Sequence, residues 1–292
     1  MKGSFSSPIE HRVEVSGAGE TFVHEYGGPA GAPVLMLLHG LGATASLNWG
    51  RCYRALSEHF RVLSIDHRGH GRGLRTRRFR LEQCADDAVA AARKVGVDRF
   101  IAVGYSMGGP IASLAWRRHP DAVEGLVLCA TARHFAPRGL ARVARASLPF
   151  AAVAVRLAPG LLQRRATQRM LQSVEHPELR DHIRDELLGH DPAAVIQATQ
   201  EVSTFSSHDW IGEVGVPAAV IVTTRDELVP VSRQRKLAAS IPGAEVFEVA
   251  GDHSACAVRG TGFVPTLVEA CSSVAQRIEA MDLRPWSASP AV

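Results

Sequence analysis

Cysteine is scarce in this chain of 292 residues: Cys52, Cys84, Cys129, Cys256 and Cys271 are the whole set. Their number is odd, their spacing is wide and no Cys-x-x-Cys pair occurs, so a disulfide frame is not expected. They read as reduced thiols in or near a core. Long apolar runs are missing too. Leu148 to Leu162 comes nearest, and Arg156 and Pro159 interrupt it, which argues against a bilayer span. The opening Met1-Lys2-Gly3-Ser4 lacks the apolar stretch of a secretory signal, so the expected compartment is the cytoplasm. Strong charge of one sign is absent as well: 33 Lys and Arg face 29 Asp and Glu, a net +4. That is too mild a bias to imply a nucleic-acid partner. No repeat, low-complexity tract or metal-ligand spacing stands out, and no metal or organic cofactor is expected.

What is present suits a globular domain. A hydrophobic fraction of 46% supplies a substantial core, and the length suits one large domain or one domain with an insertion. Segments His11 to Val15 and Thr21 to Tyr26 alternate polar with apolar residues and predict an antiparallel pair at a sheet edge. Pro33 to Leu38 is continuously apolar, as expected of a parallel strand covered on both faces. A helix is expected over Leu47 to His59, then a strand over Arg61 to Ile65. Leu81, Cys84, Ala85, Ala88, Ala92 and Val95 define one helical face ending at Gly96. Further strands are expected at Arg99 to Val103, Gly125 to Cys129, Ala218 to Val222 and Glu245 to Val249. Helices are expected at Ser232 to Ile241 and from Phe263 to Ile278. Such alternation predicts an α/β fold with a parallel sheet. It breaks from about Arg133 to Trp210, where no good strand is found.

The motif that organises the rest is Gly104-Tyr105-Ser106-Met107-Gly108-Gly109. A strand precedes it, and a helix follows until His119-Pro120. This is the setting of a Gly-x-Ser-x-Gly nucleophile elbow, with Ser106 exposed at a strand-to-helix turn. A serine needs a base, and the base needs an orienting carboxylate. After the elbow, Asp226 follows the strand ending at Val222, and His253 follows the strand ending at Val249. Both are expected at the carboxyl edge of the sheet, where open α/β sheets hold ligands. Ser106, Asp226 and His253 are therefore the expected catalytic residues. Glu227 adjoins the acid but is expected to point elsewhere, and Asp252 reads as a turn residue. His39, His67 and His70 read as structural. Backbone N–H groups of Leu41, in His39-Gly40-Leu41-Gly42, and of Met107 are the expected oxyanion donors.

These elements together resemble the α/β-hydrolase superfamily, in particular serine esterase- and lipase-like members with a helical cap. The matching residues are His39-Gly40, the Asp66 to Arg72 loop, the elbow, Asp226 with Val229-Pro230, and Gly251-Asp252-His253. Asp252 is a departure, since the family commonly has glycine before the histidine. The resemblance implies a mostly parallel eight-stranded sheet with helices on both faces and a lid after the sixth strand. The expected division is a core of residues 1–132 and 213–292 with a helical cap of residues 133–212. No Asp or Glu occurs from Gly125 to Val174, while eight arginines from Arg133 to Arg169 alternate with apolar residues. Leu148, Phe150 and Val153 are candidates for lining an acyl pocket. The arginines either meet an anionic membrane surface transiently or are simply solvated. The expected function is hydrolysis of carboxylic esters, small molecules or lipid-like ones, with apolar medium-to-long acyl groups. Acyl transfer, perhydrolysis and C–C bond hydrolysis would use the same triad, and a non-catalytic ligand-binding module is the reading from another class. Oligomeric state is not legible.

Overall fold

The apolar run after Pro33 forms strand β3 (Val34–Leu38), buried at every position, in a computed structural model that describes residues 8–15, 17–135, 147–148, 152–153 and 189–281. Around it lie β1 (Ile9–Val15), β2 (Gly19–Tyr26), β4 (Arg61–Ile65), β5 (Phe100–Tyr105), β6 (Val123–Cys129), β7 (Ala218–Thr223) and β8 (Glu245–Val249). They form one eight-stranded sheet in the order β1-β2-β4-β3-β5-β6-β7-β8. The β1–β2 and β2–β4 pairs are antiparallel, and every pair from β4 to β8 is parallel. Burial follows position. Strands β3, β5, β6 and β7 are wholly buried, whereas the edge strands β1 and β8 keep exposed residues.

Period-two alternation along the strands splits the core into two layers. Met36, Leu38, Ala102, Leu126 and Val220 face one layer, with residues of α3 (Leu81–Lys94) and α4 (Gly108–Arg118). Leu35, Leu37, Ile101, Val103, Val127 and Ile221 face the other. That second layer is covered by α1 (Ala45–Trp49), α2 (Tyr53–Ser57) and the last helix, Phe263–Ala280. All five cysteines are buried and free.

The helix expected over Leu47 to His59 is two short helices instead. Trp49, Cys52, Tyr53 and Leu56 are all buried at spacings one helix would provide, so the apolar pattern carries no sign of the break. The interruption falls at Gly50, a residue that costs a helix interior about 1 kcal/mol relative to alanine. Strand β6 begins two residues earlier than expected, at Val123. The helix expected over Ser232 to Ile241 runs from Val231 to Ala238 and is α6.

Within the connection from β6 to β7, helix α5 (Pro192–Thr204) is started by Asp191, whose carboxylate accepts from the Ala193 and Ala194 N–H groups at 2.9 and 3.3 Å. Proline at its first turn loses nothing, because that N–H would have no partner in the helix. The last helix, α7, is Phe263–Ala280. Among the described residues no helix is long and apolar enough to cross a membrane.

The turn joining β5 to α4 passes so near β3 that a Cβ on Gly108 would lie 2.0 Å from the Leu38 carbonyl oxygen. The obstacle is backbone and cannot swing aside. Gly108→Ala should lower unfolding free energy by about 1–3 kcal/mol or more, as overpacking does, read as a lower urea midpoint at unchanged m-value.

Candidate active site

Ser106 sits where β5 hands over to α4, with φ +52°. A left-handed serine is strained, and such strain persists only where the surroundings over-determine it. Here they do. The Ser106 N–H donates to Cys129 O at 2.9 Å. Its carbonyl accepts from the Gly109 N–H at 3.0 Å and from the Thr131 hydroxyl at 2.7 Å. A Cβ on Gly104 would meet Gly108 O at 2.1 Å, so the two flanking glycines are what let the turn close. Thr131, just past the end of β6, is one of the residues that hold the elbow.

The three side chains expected from separate strand ends are brought together. His253 Nε2 lies 2.9 Å from Ser106 Oγ, and His253 Nδ1 lies 2.7 Å from Asp226 Oδ2. A carboxylate can only accept, so Nδ1 carries the proton and Nε2 is left to accept from the serine hydroxyl. The Asp226 side chain is fully buried, and that of His253 is 21% exposed. Burying a carboxylate demands partners, and Asp226 has four. Besides His253, it accepts from the Thr223 hydroxyl at 2.8 Å, the Gln234 amide at 3.2 Å and the Val229 N–H at 2.8 Å. Gln234, on α6, is itself buried and also donates to Val229 O at 2.8 Å. The imidazole is held at its backbone as well, where the Tyr105 hydroxyl donates to His253 O at 2.9 Å.

The rival acids stand where the sequence suggested. Glu227 is exposed at the cavity edge. Asp252 accepts from the Ser254 N–H and hydroxyl at 2.8 and 2.6 Å, closing a turn.

His39 Nε2 accepts from the His67 N–H at 2.9 Å, and His39 Nδ1 lies 2.8 Å from Gly40 O. The His39 ring packs 4.1 Å from His67 and 5.4 Å from His70, centre to centre. A fourth ring, His190, packs on His70 at 5.1 Å, and its Nδ1 accepts from the Gly71 N–H at 2.8 Å. Burial, with the neighbouring histidines adding to it, pushes His39 and His70 down to about 3. His67 and His190 are lowered by the same cause. All four are neutral at neutral pH and tie the His39–Gly42 turn to the Asp66–Arg72 loop. Among the described residues no group of three or more His, Cys, Asp or Glu is arranged to hold a metal ion.

Ser106 and His253 open into a cavity of about 890 Å³. Leu41, Leu47, Phe135, Val202 and Leu228 line it with apolar surface, and Thr199 and Ser203 of α5 add hydroxyl-bearing side chains. The α5 residues and Phe135 were not anticipated from the sequence. Asp191-Pro192 does signal a helix start, but nothing in the pattern says which face meets the serine. Of the acyl-pocket candidates, Phe150 lies outside the described residues. Leu148 is half-buried and Val153 is 58% exposed, and neither lines this cavity. Leu41 is at the cavity wall, and Met107 is buried at the start of α4, where helix N–H groups have no intrahelical partner.

A mostly parallel sheet with a strained serine at the β5–α4 turn, and an acid and a histidine delivered by later strand ends, defines a class of hydrolases. The chain belongs to the alpha/beta hydrolase fold family, whose model matches residues 33–259, and it is a hydrolase with esterase-like relatives. A pimeloyl-[acyl-carrier protein] methyl ester esterase of Chromobacterium violaceum is 31% identical over 220 residues, covering 74% of this chain and 85% of that protein. An enol-lactonase from Burkholderia xenovorans LB400 superposes with a TM-score of 0.72 at 26% identity, over 90% of this chain and all of that one. A hydrolase from Pseudomonas aeruginosa has the same fold, with a TM-score of 0.74 at 22% identity over 92% and 98% of the two chains.

Two outcomes follow from this geometry. Asp226→Asn should cut turnover by about 10⁴-fold, because a neutral amide lets the imidazole carry its proton on the wrong nitrogen. Glu227→Gln should be far milder, and steady-state kinetics on one ester decide between the two acids. The lowered histidines make a prediction about stability. Their folded pKa values lie below the usual 6.5, so between pH 6.5 and about 3 the unfolded chain binds more protons than the folded one. Stability should therefore be full above pH 6.5 and fall as pH drops through this window. Urea midpoints against pH should show that slope, and His70→Gln should flatten it.

Proposed function

We propose that this protein hydrolyses carboxylic esters with apolar, medium-to-long acyl groups, through an acyl-enzyme on Ser106. The observation that carries the reading is the unbroken relay from Asp226 through His253 to Ser106 at the base of a cavity walled by Leu41, Leu47, Phe135, Val202 and Leu228. His253 takes the hydroxyl proton as Ser106 Oγ attacks the ester carbonyl. Asp226 holds the ring and stabilises the imidazolium, and the Leu41 and Met107 N–H groups receive the oxyanion. The protonated His253 then gives its proton to the leaving alcohol. Water attacks the acyl-serine with His253 again as base, returning free acid and serine.

Residues 133–212 act as a cap on a core of residues 1–132 and 213–292. Supporting this is helix α5, which lies within that span and turns Thr199, Val202 and Ser203 toward the cavity. The esterase relative from Chromobacterium violaceum supports ester chemistry in general, whereas the acyl preference rests on the cavity wall alone.

Ser106→Ala should leave a folded protein that no longer reacts with a fluorophosphonate probe, and persistent labelling would exclude Ser106 as nucleophile. Over a series from acetate to laurate, wild-type kcat/KM should rise by up to about 0.8 kcal/mol in transition-state binding per buried CH₂ until the cavity is full. Val202→Ser should penalise the long esters more than acetate. A profile peaking at acetate would instead make this a hydrolase of small or polar esters.

A further inference from the structure

Asn48 is a polar side chain buried to 4% exposure in α1, with no place in the triad. Its Oδ1 accepts from the Gly40 N–H at 2.9 Å, and its Nδ2 lies 3.4 Å from Cys256 Sγ. Because the backbone N–H can only donate, the amide orientation is fixed: oxygen toward Gly40, NH₂ toward the sulfur. Gly40 immediately precedes Leu41 and is pressed against the nucleophile. A Cβ there would lie 3.4 Å from Asn48 Oδ1, 3.4 Å from Ser106 Cβ and 3.6 Å from Tyr105 O. Cys256 is three residues beyond His253, is buried, and lines the cavity with Asn48. One amide thus touches the turn before the oxyanion donor and the loop after the base.

Helix α1 is itself anchored, which makes it a fixed post. Thr44 Oγ1 accepts from the Leu47 N–H at 3.2 Å, Asp66 Oδ1 accepts from the Ala45 N–H at 2.8 Å, and the Tyr53 hydroxyl donates to Ala45 O at 2.9 Å.

We propose that Asn48 is a positioning residue for the oxyanion site: by holding Gly40 N–H and Cys256 Sγ together, it sets the Leu41 N–H relative to Ser106 and His253. The inference rests on the ester-hydrolase reading and adds a residue whose hydrogen bonds go to Gly40 and Cys256 rather than to the triad. The physical demand is strict, since a donor displaced by about 1 Å can cost about 10²-fold in rate. Cys256 suits the far end of the clamp. Burial pushes its thiol up to about 12, so it stays neutral and offers a weak acceptor without placing a charge beside the oxyanion.

The test uses two ketones of equal chain length on the purified full chain, a trifluoromethyl ketone and a methyl ketone. With the first, Ser106 Oγ adds to the carbonyl carbon, its proton passes to His253, and the carbonyl oxygen becomes the oxyanion. The second binds without adding. Asn48→Ala should lower kcat by about 10²-fold with KM little changed, and weaken trifluoromethyl ketone inhibition in step. Methyl ketone affinity should hold. Cys256→Ala should move the same readouts in the same direction by less, and Cys256→Ser should restore them, which keeps the test decisive if Asn48→Ala does not fold.

Equal weakening toward both ketones, or unchanged kcat in the folded variants, would overturn the positioning role. A wild type that neither hydrolyses esters through Ser106 nor is inhibited by the trifluoromethyl ketone would overturn the ester-hydrolase reading and this inference together. Normal wild-type inhibition with indifferent variants would overturn this inference alone.

Discussion

The close passage of the β5–α4 turn over the end of β3 constrains the whole catalytic edge of the sheet. Gly108 lies against the Leu38 carbonyl, Gly104 lies against Gly108, and Gly40 lies against Ser106. Only there can the backbone bend hard enough to hold Ser106 at φ +52° with its hydroxyl facing the cavity. The strain is held by hydrogen bonds on both sides of the serine, its N–H donating to Cys129 O and its carbonyl accepting from the Thr131 hydroxyl. Both belong to β6 or the residues just after it, so the sheet stabilises the elbow by pairing β5 with β6 in register, Tyr105 opposite Cys129. Displacing one strand would move Ser106 away from His253.

A second consequence of that geometry is electrostatic. This edge of the sheet holds a fully buried carboxylate, three buried histidines and the half-buried His190. Asp226 is provided with donors from β7, α6 and its own turn. His39, His67, His70 and His190 are kept neutral by burial. Neutral rings can pack against one another, here at a tilt, and each can accept as well as donate. That is how His39 bonds the His67 N–H and His190 bonds the Gly71 N–H. The charge of His253, formed only during a turnover in the proposed mechanism, would then meet one carboxylate and no competing cations among these rings.

Legibility in the sequence followed the range of the signal. Strand β3 could be read because a continuous apolar run reports burial on both faces, and the positions of Asp226 and His253 could be read because each follows a strand, β7 continuously apolar and β8 alternating. The break at Gly50 was hidden, since Trp49, Cys52, Tyr53 and Leu56 keep helical spacing straight through it. The part played by α5 was hidden for a different reason. Its start is marked by Asp191-Pro192, but Thr199, Val202 and Ser203 carry no chemical signature of their own. Leu148 and Val153 were drawn from the apolar content of the insertion, a quantity that says nothing about direction, and neither is at the cavity wall.

The sequence by itself determined the α/β alternation, the elbow, and the order of serine, acid and histidine. These are local or near-local features: a glycine at a given offset from a serine, a β-branched run, a carboxylate three residues past a strand. Only the tertiary structure decided the distances of 2.9 and 2.7 Å that join Ser106, His253 and Asp226. It also decided that Gln234 supports the acid, that Thr131 holds the elbow, and that Asn48 reaches both Gly40 and Cys256. Asn48 and Cys256 are 208 positions apart, and no periodicity spans that separation. Their meeting follows from the pairing order of the sheet, through packing between segments whose sequences carry no record of each other.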